Sequence, residues 1–395
     1  MTNLPIYMDD HATTRVDPRV VDAMLPYLTN TFGNPGSVNH SFGWEAQQAV
    51  DANRQSIAAS FGGQPKDIVF TSGATESNNL ALRGVCLRNQ KKGKHVISVS
   101  TEHHAILDPL DRLVRRDNFD VTLLPVSNHD AATIGTIDLD RLEDAIRPDT
   151  VLVTVMFANN EIGTIQPIAE LGKLCRKHSV LFHTDATQAV GRVVIDVDAM
   201  CIDLMSFSAH KFYGPKGIGA LYVRRDGPRP KLLPLVDGGG QEGGLRAGTL
   251  NPAAIVAMGC ALELATRDLA TENSRLQQLR DQLYEQLTCN IPDLLLNGPA
   301  LDDGRHRLTN NLNVCFGDVD GEALMMSTPD LAISSGSACS STNPEPSHVL
   351  RAIGRSDDET RASLRFGLGR FTTPEDIHVA AQLLTKSIQR LRAMR

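Results

Sequence analysis

The sequence predicts an α/β protein built on a mostly parallel sheet, with a second, smaller α/β domain. Three observations predict it. Between about residues 67 and 225, short β-rich runs alternate with amphipathic helical patterns. Polar and glycine-rich residues gather where those runs end, which is where ligands bind in such sheets. A long helical stretch then leads to a further set of strand patterns near the C-terminus. A length of 395 residues suits two domains.

The β-rich runs are "DIVF", "KHVISVS", "FDVTLLPVS", "TVLVTVMFA", "VLFHTDA", "LMSFSAHK" and "IGALYVRR". Helical patterns such as "QPIAELGKLCRKHS" separate several of them. There Pro167 suits a first helical turn, and Ile168, Leu171, Leu174 and Cys175 share one face. The loop "DGGGQEGGLRAGT" closes this region. One long helical pattern runs from about Pro252 to Leu287, with Leu262, Leu269, Leu276 and Leu283 at heptad spacing. As a single copy, it reads as a core or inter-domain seam. Strands are expected near "NNLNVCF", "LAISS" and "RASLRFG", and a last helix at "TTPED", capped by Thr373 with Pro374 in the first turn.

Composition narrows the function classes. A net charge of −7 with no Lys/Arg-rich block lacks the footprint of a nucleic-acid binder. The longest apolar run, "VLVTVMFA", is too short to span a bilayer. "MTNLPIYMDD" shows no secretory pattern, and seven scattered cysteines without a C-x-x-C pair fit neither a disulfide framework nor a zinc site. The expected location is cytoplasmic. The six cysteines other than Cys339 read as packing residues.

Chemistry-bearing residues recur at strand ends. After "DIVF", the stretch "TSGATESNN" offers a tight turn at Gly73, then the free N–H groups of a helix start and the Thr75 hydroxyl, a phosphate cradle or simply a capped helix. "TEHHA" places two adjacent histidines on opposite sides, so at most one faces a crevice. Asp185 in "DATQ" meets a loop at the end of a buried strand, where it pairs with a cation or caps a helix. Lys211 follows an apolar strand inside a glycine-punctuated loop, a setting for a Schiff-base lysine. Jointly these are the parts that pyridoxal phosphate requires.

"TSGATESNN", "TEHHAIL", "NNEIG", "DATQ", "SFSAHKFYGPKGIGALYVRR", "GTL", "SSGSAC" and "RFGLGRFTT", in this order, closely resemble the cysteine desulfurases of the NifS/IscS type, within the class V aminotransferase superfamily. The resemblance covers about residues 4–375 and beyond. It implies a pyridoxal-phosphate-dependent fold of the aspartate aminotransferase type (fold type I). A large domain would span 16–258, and a small domain 1–15 with 259–395, carrying the cysteine loop.

Carried over residue by residue, the resemblance implies that Lys211 holds the cofactor as a Schiff base and Asp185 pairs with its ring nitrogen. His103 would stack on the ring and handle protons, and it is the nearest base for Cys339. Asn160 and Gln188 would bond the phenolic oxygen. Ala74, Thr75, Ser208 and His210 would hold the phosphate, with Thr249 reaching the partner subunit's cofactor in a homodimer. Arg365 would clamp the substrate carboxylate with its two-pronged donor, and Asn34 and Asn160 would add contacts. Cys339, as a thiolate, would take sulfur from L-cysteine and leave L-alanine. The glycine and serines around it in "SSGSACSS" supply the freedom to pass the persulfide to an acceptor such as an iron–sulfur scaffold protein. No resident metal is implied, although Cys339 could transiently ligate a shared [2Fe–2S] cluster. Gly243 stands where relatives often carry a larger or basic side chain. A class V aminotransferase or a selenocysteine lyase acting on a small amino acid is the alternative.

Overall fold

A computed structural model describes residues 5–128, 132–227, 229–301, 304–335 and 346–394. Cys339, and the whole of "GSACSS" from Gly336 on, lies outside the described residues.

The strands in chain order are β1 (Ile6–Tyr7), β2 (Ile68–Thr71), β3 (His95–Val99), β4 (Asp120–Leu124), β5 (Thr150–Thr154), β6 (Leu181–Asp185), β7 (Leu204–Ser208), β8 (Gly219–Val223), β9 (Leu294–Leu296), β10 (Asn311–Phe316), β11 (Leu331–Ala332), β12 (Ser334–Ser335) and β13 (Ser363–Gly367). Seven of them form one sheet in the order β2-β8-β7-β6-β5-β3-β4. Every neighbouring pair from β7 to β4 is parallel, and β8 runs antiparallel to both β2 and β7. The reversal has a local cause. Parallel strands need a long crossover, whereas only the short loop 209–218 joins β7 to β8, so β8 turns straight back. That loop carries Lys211.

The sheet is buried on both faces, as a near-continuous apolar strand pattern requires, except at its edge strand β4, where only Leu124 is buried. Ile68, Phe70, Ile97, Val153, Met205 and Phe207 belong to one core, while Val69, Val96, Leu152, Leu204 and Leu221 belong to the other. The alternation follows the period of two along each strand.

A second sheet, β12-β13-β10-β9, is wholly antiparallel and has its own core around Leu312, Val314, Phe316, Leu364 and Phe366. β1 pairs in parallel with β11. The single strand expected at "LAISS" is thus two, β11 and β12, serving different sheets.

The long helical pattern is also two helices, Pro252–Arg267 and Leu269–Asn290, broken at Asp268. Leu262 packs in the large core, whereas Leu276 and Leu283 pack in the small one. One straight helix would not serve two cores, and the Leu heptad is the seam between them. Helix Pro374–Ala393 starts as expected, with a reciprocal Thr373–Asp376 capping box and Pro374 in its first turn. No helix among the described residues is long and apolar enough to cross a membrane.

Four of the six packing cysteines are buried (Cys86, Cys175, Cys201 and Cys315). Cys289 is exposed, on the outer side of the last turn of helix Leu269–Asn290, and Cys260 is half-buried, so packing does not account for Cys289.

Candidate active site

β2, β5, β6 and β7 end at one side of the large sheet, and the residues just beyond them line a cavity of about 500 Å³. Ten sequence-predicted residues meet there: Ala74, Thr75, His103, Asn160, Asp185, Gln188, Ser208, His210, Lys211 and Arg365. Nine come from the large-sheet region. Arg365 comes from β13 of the small sheet, so both sheets contribute to the cavity.

At one end of the cavity, helix Ala74–Asn89 begins at Gly73, which adopts φ +152° and supplies no side-chain cap. The N–H groups of the first turn therefore face the cavity beside the Thr75 and Ser208 hydroxyls and His210. Burial, then the nearby Lys211 and Lys216 charges, lowers His210 to about 4, so this imidazole is neutral. Its Nδ1 lies 3.1 Å from Thr13 Oγ1.

Asp185 ends β6 and is buried, at 6% exposure. Its Oδ2 accepts from Asn78 Nδ2 at 2.7 Å, and its Oδ1 accepts from the Thr187 backbone N–H at 2.9 Å. Asn78 is a supporting residue the sequence reading did not assign. Its signal was present, since it falls one turn into the helix that starts at the phosphate cradle.

His103 caps helix His104–Asp117, with its Nδ1 accepting the Ala105 N–H at 3.0 Å. A neutral ring so engaged carries its proton on Nε2. Burial lowers its pKa, Asp185 opposes that shift, and Lys211 adds to it. His104 points away, exposed, with Asp108 at 3.3 Å. Lys211 Nζ donates to the carbonyl oxygens of His11 and Ala12 at 2.5 and 2.7 Å. Both acceptors belong to the N-terminal segment, which sequence reasoning left unassigned.

Arg365 is 2% exposed. Its Nη2 donates to Asp9 at 2.8 Å and its Nη1 to the Asn160 carbonyl at 3.2 Å, while Nε is buried without a partner. Beside it, Glu161 is fully buried, and burial raises its carboxyl to about 7. Glu161 Oε2 accepts from the Ser347 hydroxyl at 2.5 Å. The two chain ends that flank residues 336–345 thus converge here, because Ser334 on β12 pairs directly with Arg365. His348 adds a contact from its Nε2 to the Glu102 carbonyl at 2.9 Å.

Asn34 and Thr249 do not reach this cavity within the chain. Both are exposed and line a separate cleft of about 450 Å³ with Arg54, Gln241, Glu242 and Gly243. Gly243 adopts φ +63°, a backbone conformation that a larger residue would hold under strain.

A model of the aminotransferase class-V family matches residues 6–379. The "Cysteine desulfurase IscS" of Methylococcus capsulatus is 52% identical over 390 residues, covering 98% of this chain and 94% of its own. A solved structure of a "NifS-like protein" superposes with TM-score 0.87 at 33% identity, covering 98% of this chain and 99% of that one. Another, "SspA in complex with cysteine", superposes with TM-score 0.79 at 37% identity, covering 93% and 99%.

Proposed function

From the premise that this chain belongs to the aminotransferase class-V family, we propose that it is a pyridoxal-phosphate-dependent cysteine desulfurase serving iron–sulfur cluster assembly. It converts L-cysteine to L-alanine and retains the sulfur as a persulfide on Cys339. The observation that carries the reading is the convergence of Lys211, Asp185 and Arg365 on one cavity, with both flanks of the Cys339 segment tied beside Arg365.

The residues present fit the cofactor. An uncapped helix start with two hydroxyls suits a phosphate, and a buried carboxylate held by two donors suits a protonated ring nitrogen. Ala74, Thr75, Ser208 and His210 would hold the phosphate, Asp185 the ring nitrogen, Asn160 and Gln188 the phenolic oxygen, and Lys211 the aldehyde carbon. When bound, the cofactor supplies an electron sink for the pair left by the substrate's α-proton.

Arg365 orients the substrate carboxylate, exchanging part of its pairing with Asp9 for a two-pronged bond. Lys211 takes the α-proton at Nζ and returns a proton to carbon. The Cys339 thiolate attacks the substrate sulfur, forming S–S as the Cβ–S bond breaks, and the electron pair left on carbon is protonated. Cysteine plus thiol becomes alanine plus persulfide, with no outside oxidant. His103 offers an Nε2–H donor to the cavity, and to take the Cys339 proton it must first release the Ala105 N–H.

A homodimer completes the site. Thr249 and Asn34 stand exposed at the second cleft, near an apolar surface of Leu25, Leu28, Phe32, Phe42 and Trp44. Such a surface suits a second copy of the chain. The domain division is 16–258 against 1–15 with 259–395, and the cavity sits between the two. The enzyme works in the cytoplasm and hands its sulfur to an acceptor protein.

The test uses purified protein and L-cysteine, with alanine and protein-bound persulfide both measured. Wild type yields both, and Cys339→Ala abolishes the persulfide and lowers alanine formation by at least ~100-fold. Undiminished alanine from Cys339→Ala would point instead to the aminotransferase or lyase alternative.

A further inference from the structure

Gln188 reaches the cavity from a chain of fully buried polar side chains that no other part of the mechanism uses. At the far end, Arg307 is 0% exposed, and its Nη2 donates to Asn311 Oδ1 at 3.0 Å. A guanidinium only donates, so this contact fixes which end of the Asn311 amide is oxygen. Asn311 Nδ2 then donates to His11 Nε2 at 3.2 Å. At the near end, Arg192 Nη1 donates to Gln188 Oε1 at 2.8 Å, which fixes that amide as well. His11 Nδ1 lies 3.0 Å from the same Oε1.

Two arginines thus set the proton on His11 from opposite sides. Nε2 faces a donor and Nδ1 faces an acceptor, so the neutral ring carries its proton on Nδ1. Burial and the charges of Arg192, Arg365 and Lys211 hold its pKa well below the usual range, so the ring stays neutral. Gln188 Oε1 is then occupied by two donors, and Nε2 gives one hydrogen to the His11 carbonyl at 2.9 Å. One Nε2–H remains for the cavity.

Two glycines leave room for this packing. A Cβ on Gly163, at φ +74°, would lie 2.6 Å from Asn311 Oδ1, and one on Gly367 would lie 2.9 Å from His11 Cδ2.

We propose that His11 is a positioning residue of the cofactor site, locked as the Nδ1–H tautomer, which holds Gln188 as a hydrogen-bond donor toward the cofactor's phenolic oxygen. The proposal rests on the cofactor reading given above. An N–H directed at that oxygen stabilises its negative charge and so eases loss of the neighbouring Schiff-base proton. Removing the donor therefore raises the pH at which the visible band of the loaded protein titrates.

The experiment compares wild type, Gln188→Leu, His11→Phe and the double variant, each loaded with pyridoxal phosphate, by absorbance against pH. Gln188→Leu raises the midpoint, His11→Phe raises it at least ~3-fold in proton affinity, and the double variant matches Gln188→Leu alone. A His11→Phe midpoint equal to wild type, or a shift that persists undiminished in the Gln188→Leu background, overturns the proposal. If wild type forms no visible band, or Gln188→Leu shifts nothing, the cofactor reading of Gln188 fails, and the role of His11 with it.

A second measurement needs no variant that might misfold. Nitrogen-15 NMR of the histidine-labelled, cofactor-free protein reads the tautomer directly. An Nδ1–H ring at His11, insensitive to pH between 5 and 8, supports the proposal, and an Nε2–H or titrating ring there overturns it.

Discussion

The cavity around Lys211 and the cleft around Thr249 are built from the same kinds of residue, yet they differ in how finished they are. In the first, the polar side chains are largely buried and already paired: Asp185 with Asn78, Arg365 with Asp9, Lys211 with two carbonyls. In the second, the floor is braced, and at the rim Asn34 Oδ1 accepts only the nearby Gly36 N–H at 2.9 Å. Glu242 accepts two hydrogen bonds from Arg54, at 2.9 and 2.5 Å, and one from the Phe70 N–H at 2.7 Å. Gln241 Oε1 accepts the Gly248 N–H at 2.9 Å and so steadies the loop that presents Thr249. The rim, Thr249 and Asn34, stays exposed. A buried carboxylate is costly unless it is fully bonded, and Glu242 meets that demand beneath a rim that stays open to solvent.

The largest expected effect lies wholly in the finished cavity. On the proposed mechanism, Lys211→Ala removes the covalent attachment and the proton carrier together. Alanine formation should fall at least ~1,000-fold, and the visible band of the loaded protein should disappear. Retained activity would mean that the cavity is not the reaction centre.

The cleft is tested by mixing subunits. Thr249→Ala should weaken cofactor retention by roughly 10- to 100-fold, the cost of one hydrogen bond to a charged group. If Thr249 serves the opposite subunit, co-expressing Lys211→Ala with Thr249→Ala chains gives dimers in which one site is intact, and activity rises well above either parent. If Thr249 acts within its own chain, every site stays defective and nothing is regained.

Arg365→Lys probes the finished cavity more finely. It keeps the charge but loses the planar fork, and the KM for L-cysteine should rise about 10-fold with a smaller change in kcat. Equal loss in kcat alone would place Arg365 away from the substrate carboxylate.

The finished cavity was also the more legible region. Lys211, Asp185 and Thr75 stand at strand ends, where the alternation of β-rich and helical runs locates a crevice without any long-range information. Arg365 carries no such local signal and was assigned by resemblance alone, whereas Cys339 stands out by its small, flexible neighbours in "SSGSACSS" but took its role from the resemblance. The buried supports were illegible for a different reason. His11, Asn311 and Glu161 are ordinary polar letters whose partners lie hundreds of positions away in sequence, 186 for Glu161 with Ser347 and 300 for Asn311 with His11. The break at Asp268 was hidden likewise, since a heptad of leucines reads the same whether it feeds one core or two.

The smallest expected effect concerns one of those hidden supports. Burial raises Glu161 from an ordinary 4.5 to about 7, so between these values the folded protein keeps a proton that the unfolded chain has lost. Stability must then fall as pH rises through that window, by up to about 3 kcal/mol from this group, and level off above it. Asp10, raised to about 7 chiefly by burial, acts in the same direction. Glu161→Gln keeps the shape but has no proton to lose, so its urea midpoint should decline less between pH 5 and 7 than that of wild type, with the remainder due to Asp10 and the other carboxyls that burial raises, Glu102 among them. Equal declines would show that Glu161 is ionised in the fold. The contrast between a cavity of internally settled charges and a cleft with an exposed rim would then need redrawing at the Ser347 contact.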